Sequence, residues 1–71
     1  MAQLEQKLAK RLKQLRKQKK LTQEKLAEKS GLDYKFVQRL ESRNAQSPTV
    51  RTLAKLGKAL DLEPWEIIKF E

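Results

Sequence analysis

The 71-residue chain contains no cysteine, no histidine, two glycines and two prolines. Without cysteine it can form neither a disulfide nor a cysteine-based zinc site. Without histidine it lacks the commonest general base and the commonest metal ligand. It also has no glycine-rich loop that could cradle a phosphate. We therefore predict a chain that is not an enzyme and needs no metal or cofactor, stabilised by packed apolar side chains.

Long apolar runs are also missing. No stretch is long enough to span a bilayer, and the N-terminus lacks the apolar segment of a secretory signal. The length suits one small domain covering residues 1–71, close to the lower size limit for a chain that folds on its own core. We expect a single domain in the cytoplasm, with no membrane partner.

Positive charge is what the chain has in excess. Seventeen basic and nine acidic residues give a net charge of +8 and a pI of about 10.1. Eight of the basic residues fall within residues 1–20, where Glu5 is the single acid. Such a domain attracts polyanions, namely DNA, RNA or an anionic membrane. An ordinary solvated surface would show the same excess, so charge alone does not choose among these partners.

Apolar residues recur at helical spacing along the whole chain, and no segment alternates like a strand. This pattern predicts an all-α fold of five helices. The first helix carries a leucine stripe: Leu4, Leu8, Leu12 and Leu15. The fourth, with Thr49 as its cap and Ser47–Pro48 as a competing start, places these residues on its apolar face: Val50, Leu53, Ala54, Gly57 and Leu60. The fifth is short and opens at Pro64.

The second and third helices follow each other closely. Thr22 is a good N-cap, and Leu21 and Leu26 have the spacing of a hydrophobic staple around it. Gly31 suits the left-handed position that ends a helix. The third helix begins two residues later, with Asp33 as its cap. So short a turn makes the two helices cross steeply, as in a helix-turn-helix.

The third helix, within SGLDYKFVQRLE, has two different sides. The apolar side is expected to pack in the core: Phe36, Val37 and Leu40. The opposite side is polar: Tyr34, Lys35, Gln38 and Arg39. An exposed polar helix face of this kind fits the major groove of DNA, where base edges offer distinct donor and acceptor patterns. The alternative is a solvated surface with no ligand.

The stretch LTQEKLAEKSGLDYKFVQRLE resembles the helix-turn-helix of lambda-repressor/Cro-like (Xre-type) DNA-binding proteins. The likeness extends upstream through LKQLRKQKKLTQ and downstream through SPTVRTLAKLGKALDLEPWEII. Within that family, the compact size and the EPWEII ending resemble the controller proteins of restriction–modification systems. The resemblance implies a five-helix lambda-repressor-like domain that regulates transcription as a repressor or activator.

The resemblance also implies roles for individual residues. The three that would face the bases are Tyr34, Lys35 and Arg39. Gln23, at the first position of the second helix, would contact a phosphate beside the helix N-terminus. Further phosphate candidates are Gln38, Arg43, Asn44 and Thr49. For each of these residues the alternative is an exposed polar side chain without a ligand.

One implied feature is structural, an ion pair between Arg16 and Glu41 that would hold the third helix at its angle; the alternative is two unrelated surface charges. The sequence departs from the family at three places. Lys20 and Arg43 stand where glycine is frequent, so these turns are either strained or differently built. Asp33 stands where serine or threonine is usual, and it would bring a carboxylate close to the DNA phosphates, which would either weaken binding or select a base that donates a hydrogen bond, such as cytosine through N4.

Family members usually bind palindromic DNA as two-fold dimers, so we expect a homodimer on a palindromic operator. In the fifth helix, Trp65 and Ile68 point one way, whereas Ile67 and Phe70 point another. One pair closes the core, and we predict that Ile67 and Phe70 form the dimer interface. The alternative is that all four pack within one chain.

Three functions remain in competition. The first is sequence-specific binding of double-stranded DNA by a transcriptional regulator, with residues 34–41 in the major groove. The second is an antitoxin-type protein-interaction module that also binds its own promoter, although no clear extra toxin-binding tail is present. The third is membrane-surface binding by the basic first helix, whose leucine stripe is better used in the core. We predict the first.

Overall fold

The structure, a computed structural model, describes residues 2–43 and 47–69. It consists of five helices: α1 (Ala2–Gln18), α2 (Gln23–Ser30), α3 (Tyr34–Leu40), α4 (Val50–Leu60) and α5 (Pro64–Ile67). No strand occurs within the described ranges, and the predicted all-α, five-helix fold is confirmed. None of these helices is long and apolar enough to cross a membrane. Asn44 and Phe70, both singled out from the sequence, lie outside the described residues.

One core cluster receives side chains from all five helices. Each helix contributes a leucine or isoleucine that is at most 1% exposed: Leu12, Leu26, Leu40, Leu60 and Ile67. Full burial of such a side chain stabilises a protein by roughly 1.5–3 kcal/mol, so these five residues contribute much of the stability of the fold. The leucine stripe of α1 enters the core only from Leu8 onward, because Leu4 is 64% exposed.

The buried face of α4 is shifted from the predicted one. Val50 and Ala54 are exposed, whereas Leu56 is buried beside Gly57. At the end of α4, the amide of Leu62 donates to the carbonyl oxygen of Gly57 over 2.8 Å, so the chain folds back against this glycine. A Cβ atom on Gly57 would lie 2.5 Å from the carbonyl oxygen of Leu62. Glycine is therefore required here for close approach.

The predicted dimer role of Ile67 is wrong for this chain. Ile67 is 0% exposed and belongs to the core cluster, so it is the residue of α5 that closes the core. Trp65 and Ile68 are the exposed ones, at 59% and 46%. The sequence pattern identified two apolar sides on this short helix, but Ile67, which was placed on the interface side, faces inward.

Of the two turns that lack an expected glycine, one is strained and one is built differently. Lys20 adopts the left-handed conformation with φ of 58°, which costs an L-residue roughly 1–2 kcal/mol. Arg43 does not have a positive φ, so its turn needs no glycine.

Candidate nucleic-acid interface

The α2–turn–α3 unit is held by specific caps at both helix starts. The Thr22 side chain accepts from the Lys25 amide over 3.0 Å, and the Asp33 carboxylate accepts from the Lys35 amide over 3.0 Å. Gly31 ends α2 in the left-handed conformation, with φ of 73°. These groups fix where each helix begins and where α2 ends, and they leave three residues between the helices.

The outer face of α3 is open and polar. Lys35, Gln38 and Arg39 are exposed and line one shallow groove of about 470 Å³ together with Asp33 and Ser42. Tyr34 is 40% exposed at the start of the helix but does not line this groove. The structure therefore brings together two of the three predicted base-reading residues and sets the third at the edge.

Arg39 is linked to the core through Phe36. The Arg39 guanidinium lies over the Phe36 ring, 6.0 Å from its centroid, at the outer limit of a cation–π contact. Phe36 is partly buried against the core cluster. This contact restricts the arginine side chain while the residue stays exposed, and a guanidinium group is suited to bidentate recognition of a planar acceptor pair.

Arg16 and Glu41 form the ion pair that the family resemblance implied. The Arg16 Nε and Nη2 atoms donate to the two carboxylate oxygens over 2.8 and 3.0 Å. The side chains are 10% and 2% exposed. The Arg16 Nη1 atom also donates to the Leu21 carbonyl over 2.7 Å. The pair thus ties the end of α3 to α1 and to the turn before α2.

The residues predicted to contact phosphates occupy different surroundings. The Gln23 Nε2 atom donates to Glu41 over 3.1 Å, which holds this side chain at the N-terminus of α2. The Thr49 hydroxyl caps α4 by accepting from the Thr52 amide over 3.1 Å. Gln38 lines the α3 groove, whereas Arg43 lines a separate cleft beside α1.

Ser42 is a residue of the α3 groove that the sequence pattern did not identify. It follows Glu41 directly, its side chain lines the α3 groove, and its hydroxyl donates to the Arg39 carbonyl over 2.8 Å. The available signal was its position just past the helix end, where a hydroxyl often satisfies a free carbonyl. The link from Gln23 to Glu41 was also missed, because it joins residues 18 positions apart.

Comparison with known protein families identifies the family of this chain. A family model described as Helix-turn-helix matches residues 12–66, more than half of the chain. The chain belongs to this helix-turn-helix family, and it is a sequence-specific DNA-binding regulator of transcription. No curated protein sequence matches the chain significantly.

Solved structures give a finer comparison. The chain is similar to the restriction–modification controller protein C.AhdI from Aeromonas hydrophila, with 42% identity and a TM-score of 0.84, over 94% of this chain and 98% of that one. It is also similar to the wild-type controller protein C.Esp1396I, with 32% identity and a TM-score of 0.78, over 92% of this chain and 87% of that one. These likenesses cover nearly the whole chain.

Proposed function

We propose that the chain is a controller-type transcriptional regulator that binds a palindromic operator as a homodimer, with α3 in the major groove. The observation that carries this proposal is the exposed polar face of α3, with Lys35, Gln38 and Arg39 side by side on a helix anchored by the Glu41 ion pair. The likeness to two restriction–modification controller proteins supports the regulatory class. The protein would act in the cytoplasm, where its operator DNA lies.

In this proposal Arg39 and Lys35 read bases. Arg39 donates two hydrogen bonds to guanine O6 and N7, and Lys35 reaches the same kind of acceptor as a point charge. Tyr34, at the rim of the face, contacts a thymine methyl group or donates to a phosphate. Asp33 already accepts from the Lys35 amide, and its free oxygen favours a base that donates, such as cytosine through N4.

Phosphate contacts then set the register of α3. Gln23 lies at the first position of α2, where backbone amides and the helix dipole attract an anion. Its amide group is already oriented by Glu41, so little side-chain entropy is lost on binding. Gln38, Arg43, Asn44 and Thr49 are the further phosphate candidates.

The test begins with selection of DNA sites from a random pool. Arg39→Ala should lower discrimination between the selected operator and single-base variants, by roughly 1–3 kcal/mol at one position. Gln23→Ala should weaken binding to all sequences by about the same factor. Equal discrimination by the parent and Arg39→Ala would refute the proposed reading role of α3.

The dimer surface is assigned anew, since Ile67 is buried. Leu4 and Ile68 are exposed large apolar side chains that line one groove of about 350 Å³ with Leu8, Pro48 and Leu53. The groove is mainly apolar, and exposed apolar area of this kind is typical of a protein interface. We assign this groove to contact with a second copy of the chain, because a palindromic operator needs two identical recognition helices related by a two-fold axis.

Ile68→Glu would place a charge in this groove and should shift the protein from dimer to monomer in sedimentation equilibrium. Ala54→Glu, at an exposed position of α4 that does not line the groove, is the matched control and should leave the dimer intact. A parent that is monomeric at high concentration, both free and on its operator, would refute the homodimer.

A further inference from the structure

A second basic surface lies beside the recognition face, on a part of α1 to which no role has been assigned. Lys10 and Lys13 lie on α1, and with Arg43 they line an open cleft of about 420 Å³. All three side chains are exposed. The spacing of the two lysines, three residues apart, places them on one side of the helix.

The cleft carries a net positive charge. Its one acidic lining residue is Glu41, whose carboxylate is already paired with Arg16 over 2.8 Å and is 2% exposed. Neither Lys10 nor Lys13 takes part in a salt bridge among the described residues. Lys10, Lys13 and Arg43 all line this one open cleft, and an anion bound there relieves the mild repulsion between their like charges.

The cleft adjoins the recognition face. Ser42 lines both this cleft and the groove that contains Lys35, Gln38 and Arg39. A duplex seated on α3 therefore has a sugar–phosphate backbone within reach of the neighbouring cleft as it leaves the groove. The anion that fits both the charge and the position is a backbone phosphate, whose contacts supply much of the affinity for DNA.

We infer that the cleft formed by Lys10, Lys13 and Arg43 binds backbone phosphates of the operator, which extends the DNA contact from α3 onto α1. The inference rests on the proposed docking of α3 in the major groove. It makes the basic N-terminal helix part of the DNA-binding surface, and it assigns Lys10 and Lys13 to affinity and not to base discrimination.

The test compares two charge-matched double variants. Lys10→Gln/Lys13→Gln removes the two α1 charges, and Lys55→Gln/Lys58→Gln removes two exposed charges on α4 that line neither the cleft nor the α3 groove. Lysine and glutamine have nearly equal helix propensity, so both variants should fold. Thermal unfolding midpoints equal to that of the parent protein, measured by circular dichroism, would establish that both variants fold.

Binding to the selected operator is then measured by fluorescence anisotropy between about 50 and 300 mM salt. Each phosphate contact contributes about −0.9 to the slope of log K against log salt, which corresponds to roughly fivefold in affinity near 0.15 M. The α1 variant should lose about 1–2 slope units per bound protomer, with the same fold-change on an unrelated duplex. The α4 variant should keep the parent slope.

Ethylation interference gives a second readout. Some phosphates should no longer weaken binding when ethylated if the protein is Lys10→Gln/Lys13→Gln. The same phosphates should lose their effect with Arg43→Gln, because the three side chains line one cleft. Equal salt slopes for the α1 and α4 variants, or distinct phosphate sets for α1 and Arg43, would overturn the inference. If Arg39→Ala still abolishes discrimination in that case, the proposed function stands without it; if Arg39→Ala has no effect, both fail.

Discussion

Replacing Glu41 by alanine should destabilise the protein by about 3 kcal/mol. Glu41 accepts two hydrogen bonds from Arg16 and one from Gln23, and its side chain is 2% exposed. Removing one partner of a buried ion pair costs about 3–5 kcal/mol, because the other charge stays buried without compensation. The lower end applies here, since Arg16 keeps its hydrogen bond to the Leu21 carbonyl and is 10% exposed.

That loss is large for a chain of this size. Domains are stable by roughly 0.05–0.15 kcal/mol per residue, or about 4–11 kcal/mol for 71 residues. Urea denaturation followed by circular dichroism measures the change. Glu28→Ala is the control, because Glu28 pairs with Lys25 on the open surface, with side chains 72% and 55% exposed. Such a surface pair contributes at most about 1 kcal/mol.

Removal of both charges should have a different effect from removal of one. Arg16→Met with Glu41→Leu leaves no unpaired buried charge, so the double variant should recover much of the stability lost by Glu41→Ala. Its operator affinity should nevertheless stay reduced, because Gln23 loses the acceptor that orients it. A loss below about 1 kcal/mol for Glu41→Ala, similar to that of Glu28→Ala, would refute the view that this pair anchors α3.

Three further predictions concern backbone and pH. Gly57→Ala should destabilise by about 2 kcal/mol in urea denaturation despite alanine's better helix propensity, because its Cβ atom would lie 2.5 Å from the Leu62 carbonyl oxygen; an unchanged midpoint would contradict this. Lys20→Gly should stabilise by about 0.5 kcal/mol, since relief of the left-handed strain exceeds the entropy cost of glycine; a net loss of stability would contradict it. The hydrogen bond from the Ser47 hydroxyl lowers the pKa of Glu5. The stability that ionised Glu5 contributes through this bond is therefore fully present above the ordinary carboxyl pKa, and it is lost as the pH falls through the lowered pKa. Ser47→Ala should raise the Glu5 pKa measured by NMR titration, and an unchanged value would contradict this cause.

The α2–turn–α3 unit could be predicted because its determinants are local. The Thr22 and Asp33 caps and the Gly31 end act within four residues along the chain, so spacing alone specifies them. The polar face of α3 follows from the same helical period. Contacts between distant residues were beyond such patterns: the bond from Gln23 to Glu41, and that from the Ser47 hydroxyl to Glu5, depend on how the helices pack.

The error on α5 has a physical reason that also bears on function. Four apolar residues near the end of the chain give two alternative faces, and the helical period assigns neither to the core. Gly57 permits the close turn after α4, and in the structure α5 then packs with Ile67 inward. Ile68 is then directed to the groove that also contains Leu4. If that groove is the dimer surface, the spacing of the two α3 helices in the dimer depends on a glycine that contacts neither the DNA nor the second chain. Gly57→Ala should therefore weaken operator binding even at temperatures where the monomer remains folded.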